Sequence, residues 1–189
     1  MSWPNKAARE QYEIAGFITA YFRLCGLAYA VEAKREKPDY WLTCPEAEPL
    51  GVELTSVYLD DRSVPDRHMV TKQLSHIPDD PETISRYLRR LAEAVRDKAR
   101  KAAAGYDRTR RLVLSVYVNE YESIYLEPTD LAAMMRAHSE CFRFTALFSE
   151  VVFWNLQDGE AYRVRLEEFA EQTVAADRRE DAAPAEPQR

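Results

Sequence analysis

This chain has few residues suited to covalent or zinc chemistry. Of its 189 residues only three are cysteine (Cys25, Cys44 and Cys141), an odd number with no C-x-x-C spacing. That excludes a disulfide framework and a cysteine-rich zinc site, and it fits a reducing cytoplasm. Three histidines (His68, His76 and His138) are scattered and form no H-x-x-x-H pair. Five glycines make no phosphate-binding loop. Ser56 and Ser115 have no nucleophile-elbow sequence around them. No run approaches the roughly 18 apolar residues of a transmembrane helix, and the first residues, MSWPNKAARE, lack the apolar centre of a signal peptide. Excess positive charge is missing too. The net charge of −6 argues against a generic nucleic-acid coating protein, while leaving room for a local basic patch.

What is present suffices for one folded domain: 46% hydrophobic residues for a core and 31% charged residues for solubility. Residues 9–25 carry Ile14, Phe17, Ile18, Tyr21 and Cys25 on one helical stripe, with Gly26 as the stop. Three short runs follow, at 27–33, 39–44 and 50–59. They are rich in aromatic and β-branched residues and punctuated by Pro38, Pro45 and Pro49, which predicts an antiparallel meander. Residues 60–81 form a long polar connection with three prolines. The strongest helix covers 82–104, with Ile84, Tyr87, Leu88, Leu91, Val95, Ala99 and Ala102 on its stripe and Gly105 at its end. The almost unbroken apolar run 111–118 reads as a strand covered on both faces. A short helix over 128–140, capped by Thr129 or Asp130, precedes strands at 150–156 and 162–166, which turn near Asp158-Gly159. The stretch LEEFAEQT reads as a last helical turn. Residues 174–189, charged and rich in alanine and proline, read as a disordered tail. The expectation is a single α/β domain over 1–173, with a mixed central sheet, helices on both faces and the order αβββαβαββ.

The segment KPDYWLTCPEAEPLGVELTSV, residues 37–57, holds the main anomaly. Side chains alternate along a strand, so Glu53, Thr55 and Val57 share one face and Val52, Leu54 and Ser56 the other. With both faces covered, Glu53 is expected to be partly buried. A buried carboxylate needs a cation or hydrogen-bond donors. If the two strands pair as a hairpin, Asp39 at the start of one comes beside Glu53 near the end of the other. Two converging carboxylates suit Mg²⁺ or Mn²⁺, hard ions that prefer oxygen ligands and keep waters.

A proline-aspartate at a strand start, then about a dozen residues, then a glutamate inside an apolar strand resembles the PD-(D/E)xK nuclease superfamily, which includes restriction endonucleases and Holliday-junction resolvases. The superfamily core of helix, three strands, helix and strand matches the order read over residues 9–118. The resemblance implies a restriction-endonuclease-like core and metal-dependent hydrolysis of phosphodiester bonds, with DNA the expected nucleic-acid partner. It implies Asp39 and Glu53 as catalytic metal ligands and a further glutamate near the start of the first helix. Glu10, four residues before Ile14, lies on the stripe face, and Glu13 lies at its edge. Dimers are common among relatives, and the apolar 144–156 segment is the stretch that would serve a homodimer.

The sequence departs from the pattern at Thr55, which occupies the place of the motif lysine and carries no charge. Lys98 lies on the core-facing stripe of the second long helix, three residues after Val95, and is the leading substitute, with a catalytic role. Lys72 in the long connection is its rival. The basic stretches RDKARK (96–101) and DRTRRL (107–112) are candidate phosphate contacts or an ordinary solvated face. The alternative to an active nuclease is a catalytically degenerate binding or scaffold module on the same fold.

Overall fold

Residues 6–57, 80–118, 126–142, 147–156 and 159–165 are described by a computed structural model of the chain. They form α1 (Lys6–Cys25), β1 (Ala30–Lys34), β2 (Tyr40–Cys44), β3 (Ala47–Val57), α2 (Pro81–Ala103), β4 (Arg111–Val118), α3 (Pro128–Ala137), α4 (Ser139–Phe142), β5 (Glu150–Trp154) and β6 (Ala161–Arg165). The strands make one sheet in chain order. β1, β2 and β3 are the antiparallel meander, β3, β4 and β5 run parallel, and β6 returns antiparallel to β5. Parallel neighbours need crossovers, which is why helical segments separate β3 from β4 and β4 from β5.

The near-continuous apolar run of β4 reflects two dry faces. Leu112, Leu114, Val116 and Val118 pack in one core with Tyr87, Leu91, Val95 and Ala99 of α2 and with Leu131 and Met135 of α3. Val113 faces the other core, with Ile14, Phe17 and Tyr21 of α1 and Leu42, Val52 and Leu54. α2 starts where Asp80 accepts a hydrogen bond from the Thr83 N–H at 2.8 Å, with Pro81 in its first turn. α1 stops at Gly26, whose φ of 72° is readily reached only without a side chain. Trp154 is buried and donates from Nε1 to Ser115 Oγ at 2.8 Å. Trp41 is also buried, with the Arg110 guanidinium 4.8 Å from its ring centroid.

Several boundaries differ from the sequence reading. β3 begins at Ala47, through Pro49. β4 enters only opposite Leu50, so the missing Pro49 N–H removes no ladder bond on that side. The cap of α3 is Glu127, not Thr129 or Asp130. Asp130 instead reaches back and accepts from the Glu127 N–H at 2.9 Å. The predicted helix over 128–140 is broken at His138 into α3 and α4. Gly159, with φ 72°, and Asn155, with φ 64°, turn the chain between β5 and β6. In the 144–156 segment Phe148, Val151, Val152, Phe153, Trp154 and Leu156 are buried within the chain's own core. The connection at 60–79, Lys72, Asp158, the LEEFAEQT stretch and the tail lie outside the described residues. No described helix is long and apolar enough to cross a membrane.

Candidate functional site

The site lies where the β2–β3 pairing ends. β2 pairs with β3 up to Tyr40 opposite Val52, and beyond that point no strand among the described residues pairs with β3 on that side. Backbone groups of alternate residues point to this open edge, and those of Leu54 are among them. Asp39, immediately before β2, accepts from the Leu54 N–H through Oδ2 at 2.7 Å. Lys98 of α2 donates from Nζ to the Leu54 carbonyl at 2.7 Å and to Glu53 Oε1 at 2.6 Å. One aspartate and one lysine thus take the place of a pairing strand there.

Glu53 is 3% exposed, as expected for a carboxylate between covered faces. Lys98 holds Oε1, while Oε2 is buried with no hydrogen-bond partner. The Tyr106 phenol also lies beside this carboxylate. Burial, then hydrogen bonding to Glu53 and the Glu53 charge, raise the pKa of that phenol. Asp39 feels the same charge. Burial, then Glu53, raise its carboxyl to about 6, against the lowering effects of the Leu54 N–H and the Lys98 ammonium.

The edge opens into a cleft of about 280 Å³. Its α1 wall carries Lys6, Arg9, Glu10 and Glu13, its floor is residues 54–56, and Asp39 and Lys98 complete the lining. The sequence placed Glu10 on the inner stripe of α1 and Glu13 at its edge; the packing reverses this. Glu13 is the buried one and accepts a hydrogen bond from Ser56 Oγ. Burial raises its pKa, and the Ser56 bond only partly opposes that. Glu10 is less enclosed and pairs with Lys34 at 2.6 Å and Lys6 at 3.5 Å. Desolvation pushes its pKa up, but these two cations prevail and hold it below the ordinary carboxylate value. Thr55 lines the cleft and brings no charge.

The structure therefore brings together Asp39, Glu53, Lys98, Glu13 and Glu10. Lys98 reaches Glu53 from late in α2 because Glu53 sits well inside β3, four residues before its end at Val57. Among the described residues no group of three or more histidine, cysteine, aspartate or glutamate side chains is gathered tightly enough to hold a metal ion. The donors that are present are oxygen atoms: the Asp39 and Glu53 carboxylates and the Leu54 carbonyl. They suit Mg²⁺ or Mn²⁺, which complete their shells with water, and the orphaned Glu53 Oε2 is the atom such an ion would satisfy.

A third buried carboxylate escaped the sequence reading. Glu150, 3% exposed at the start of β5, accepts from the Tyr21 hydroxyl and from Arg111, each at 3.0 Å, and Arg111 also donates to the Tyr21 oxygen at 3.0 Å. The signal was the same as for Glu53: an acid next to a continuous apolar run. Here every partner is in place, so this group ties α1 to β4 and β5. Compared with protein-family models, curated proteins and solved structures, the chain shows no significant match.

Proposed function

We propose that this protein is a Mg²⁺- or Mn²⁺-dependent nuclease with a restriction-endonuclease-like core that hydrolyses phosphodiester bonds in DNA. The observation that carries this reading is the buried, unpartnered Oε2 of Glu53 beside Asp39 at an open sheet edge, with a lysine delivered to the same carboxylate from α2. DNA, rather than RNA, rests on the resemblance of residues 38–55 to the nuclease motif. A bound ion would polarise a phosphoryl oxygen and lower the pKa of its water. Asp39 and Glu53 hold that ion, and Glu13 or Glu10 on the facing wall extends the acidic set. Lys98 supplies the positive charge that Thr55 lacks and lies where it can orient the attacking water. Lys6 and Arg9 line the same cleft and would face the polyanionic backbone.

The test is cleavage of supercoiled, linear and single-stranded DNA, and of RNA, with Mg²⁺ or Mn²⁺. Asp39→Asn and Glu53→Gln should abolish cleavage, and Lys98→Gln should slow it by about 10²–10³-fold, as for loss of one preorganised electrostatic group. Unchanged cleavage by a folded Glu53→Gln protein would refute the assignment.

One observation favours a second reading, a binding or scaffold module on a retired nuclease fold. Asp39 and Lys98 between them satisfy both edge-facing backbone groups of Leu54, a structural task that needs no ion. On that reading the wild type cleaves nothing under any metal, and a nucleic acid or a second copy of the chain binds without reaction.

A further inference from the structure

The lining of the cleft includes Lys98 but not Glu53. Lys98 thus touches both the cleft and the buried carboxylate that the cleft does not reach. It also holds two of the oxygens that could serve a hard cation, Glu53 Oε1 at 2.6 Å and the Leu54 carbonyl at 2.7 Å. An ammonium and a divalent ion are both compact, strongly hydrated charges that seek oxygen, and they cannot share these atoms. Yet the ammonium leaves the site incomplete, because Glu53 Oε2 has no partner.

On the basis of the metal-dependent reading above, we infer that Lys98 is an internal competitor for the ion, holding Glu53 and the Leu54 carbonyl in the ion-free protein and releasing them when the ion binds. Its side chain is suited to the exchange. It is 23% exposed, against 4% for that of Glu53, so its head can swing into the cleft on a flexible four-carbon stem. The lysine then lies beside the reacting centre instead of inside it. The same residue thus keeps a buried carboxylate neutralised before loading and stands ready to act on water afterwards. Ion affinity is set by the difference between ion and ammonium at one pair of oxygens, not by the ion's contacts alone.

The experiment is calorimetric titration of Mn²⁺ into the wild type, Lys98→Met, Lys98→Gln, Lys101→Met and Glu53→Gln, each checked for folding by circular dichroism. Lys98→Met should bind Mn²⁺ at least about tenfold more tightly than the wild type, the scale set by losing a charge-assisted hydrogen bond. Lys98→Gln, which can still donate to the Leu54 carbonyl, should fall between them and carries the comparison if Lys98→Met does not fold. Lys101→Met removes an exposed charge from the same helix and should stay within about twofold of the wild type, the scale of a screened surface charge. Equal or weaker binding by both Lys98 variants, with binding lost in Glu53→Gln, would overturn the competition while leaving the metal reading intact. An equal gain in Lys101→Met would also overturn it, since general charge would then explain the effect. No binding by any of the proteins, or full binding by Glu53→Gln, would remove the metal reading and the competition together.

Discussion

Glu53 has one oxygen on the Lys98 ammonium, with the Tyr106 phenol beside its carboxylate, so its energetics depend chiefly on Lys98. Breaking a buried pair from one side leaves an uncompensated charge, whereas replacing both partners with apolar groups of similar size is close to neutral. We expect Glu53→Leu and Lys98→Met each to lower stability by about 2–3 kcal/mol, and the double variant to lose clearly less than their sum. Urea denaturation of the four proteins measures this coupling. Asp39 gives a pH signature. Unfolded, its carboxyl loses its proton near the ordinary value of 3.8; folded, it keeps the proton up to about 6. Between these values the folded chain binds more protons than the unfolded one, so this group's contribution to stability falls as pH rises. In chelator-treated protein, Asp39→Asn should gain stability relative to the wild type as the pH rises from about 4 to about 6. The gain should be on the order of 1 kcal/mol once solvent screening of the half-buried carboxyl is allowed for. A pH-independent difference between the two proteins would contradict the shift.

Among the elements, β3 does the positioning, and Gly51 lets it. A side chain there would meet Leu112 and Trp41 at 2.7 Å and Pro38 at 2.8 Å, all tighter than real contacts allow. Pro38 immediately precedes Asp39, so the close approach of this segment to the β3 backbone is what sets Asp39 against Leu54. Gly51→Ala should cost about 1–3 kcal/mol by overpacking and should also weaken Mn²⁺ binding by displacing Asp39. A melt together with a titration separates the two effects. The Tyr21–Glu150–Arg111 group belongs to the same scale, since it joins three elements and none of its residues lines the cleft. Tyr21→Phe should cost about 1–2 kcal/mol through the lost buried hydrogen bond, with Mn²⁺ binding unchanged. A change in ion affinity would mean that the two carboxylate groups communicate.

At the scale of the molecule, order is concentrated at the centre of the sheet. β3, β4 and β5 are covered on both sides, whereas β1 is a five-residue edge strand whose Val31 is 46% exposed. Amide exchange should therefore be slowest in β3 and β4 and should approach solvent rates first in β1. Uniform protection across the sheet would contradict this gradient. The order of elements was legible because two periods dominate the chain: the helical stripes of α1 and α2, and the apolar runs of β2, β3, β4 and β5. Boundaries were less legible where long-range partners decide them. Pro49 reads as a strand stop, yet it lies inside β3 because β4 has not begun there.

The site divides in the same way. Burial of Glu53, and its need for a cation or hydrogen-bond donors, were legible from the alternation of a strand covered on both faces. The sequence by itself also determined that Lys98 faces the sheet, because three- and four-residue spacing puts it on the stripe of Val95 and Leu91. Which of Glu10 and Glu13 turns inward followed from how α1 rolls against Ser56 and the sheet, a contact between residues 43 positions apart that no local period encodes. That Glu150 is fully satisfied while Glu53 keeps a free oxygen was likewise decided only by the tertiary structure. Tyr21, Arg111 and Glu150 meet across three elements, whereas the edge beside Leu54 ends where β2 begins and leaves one polar atom without a partner.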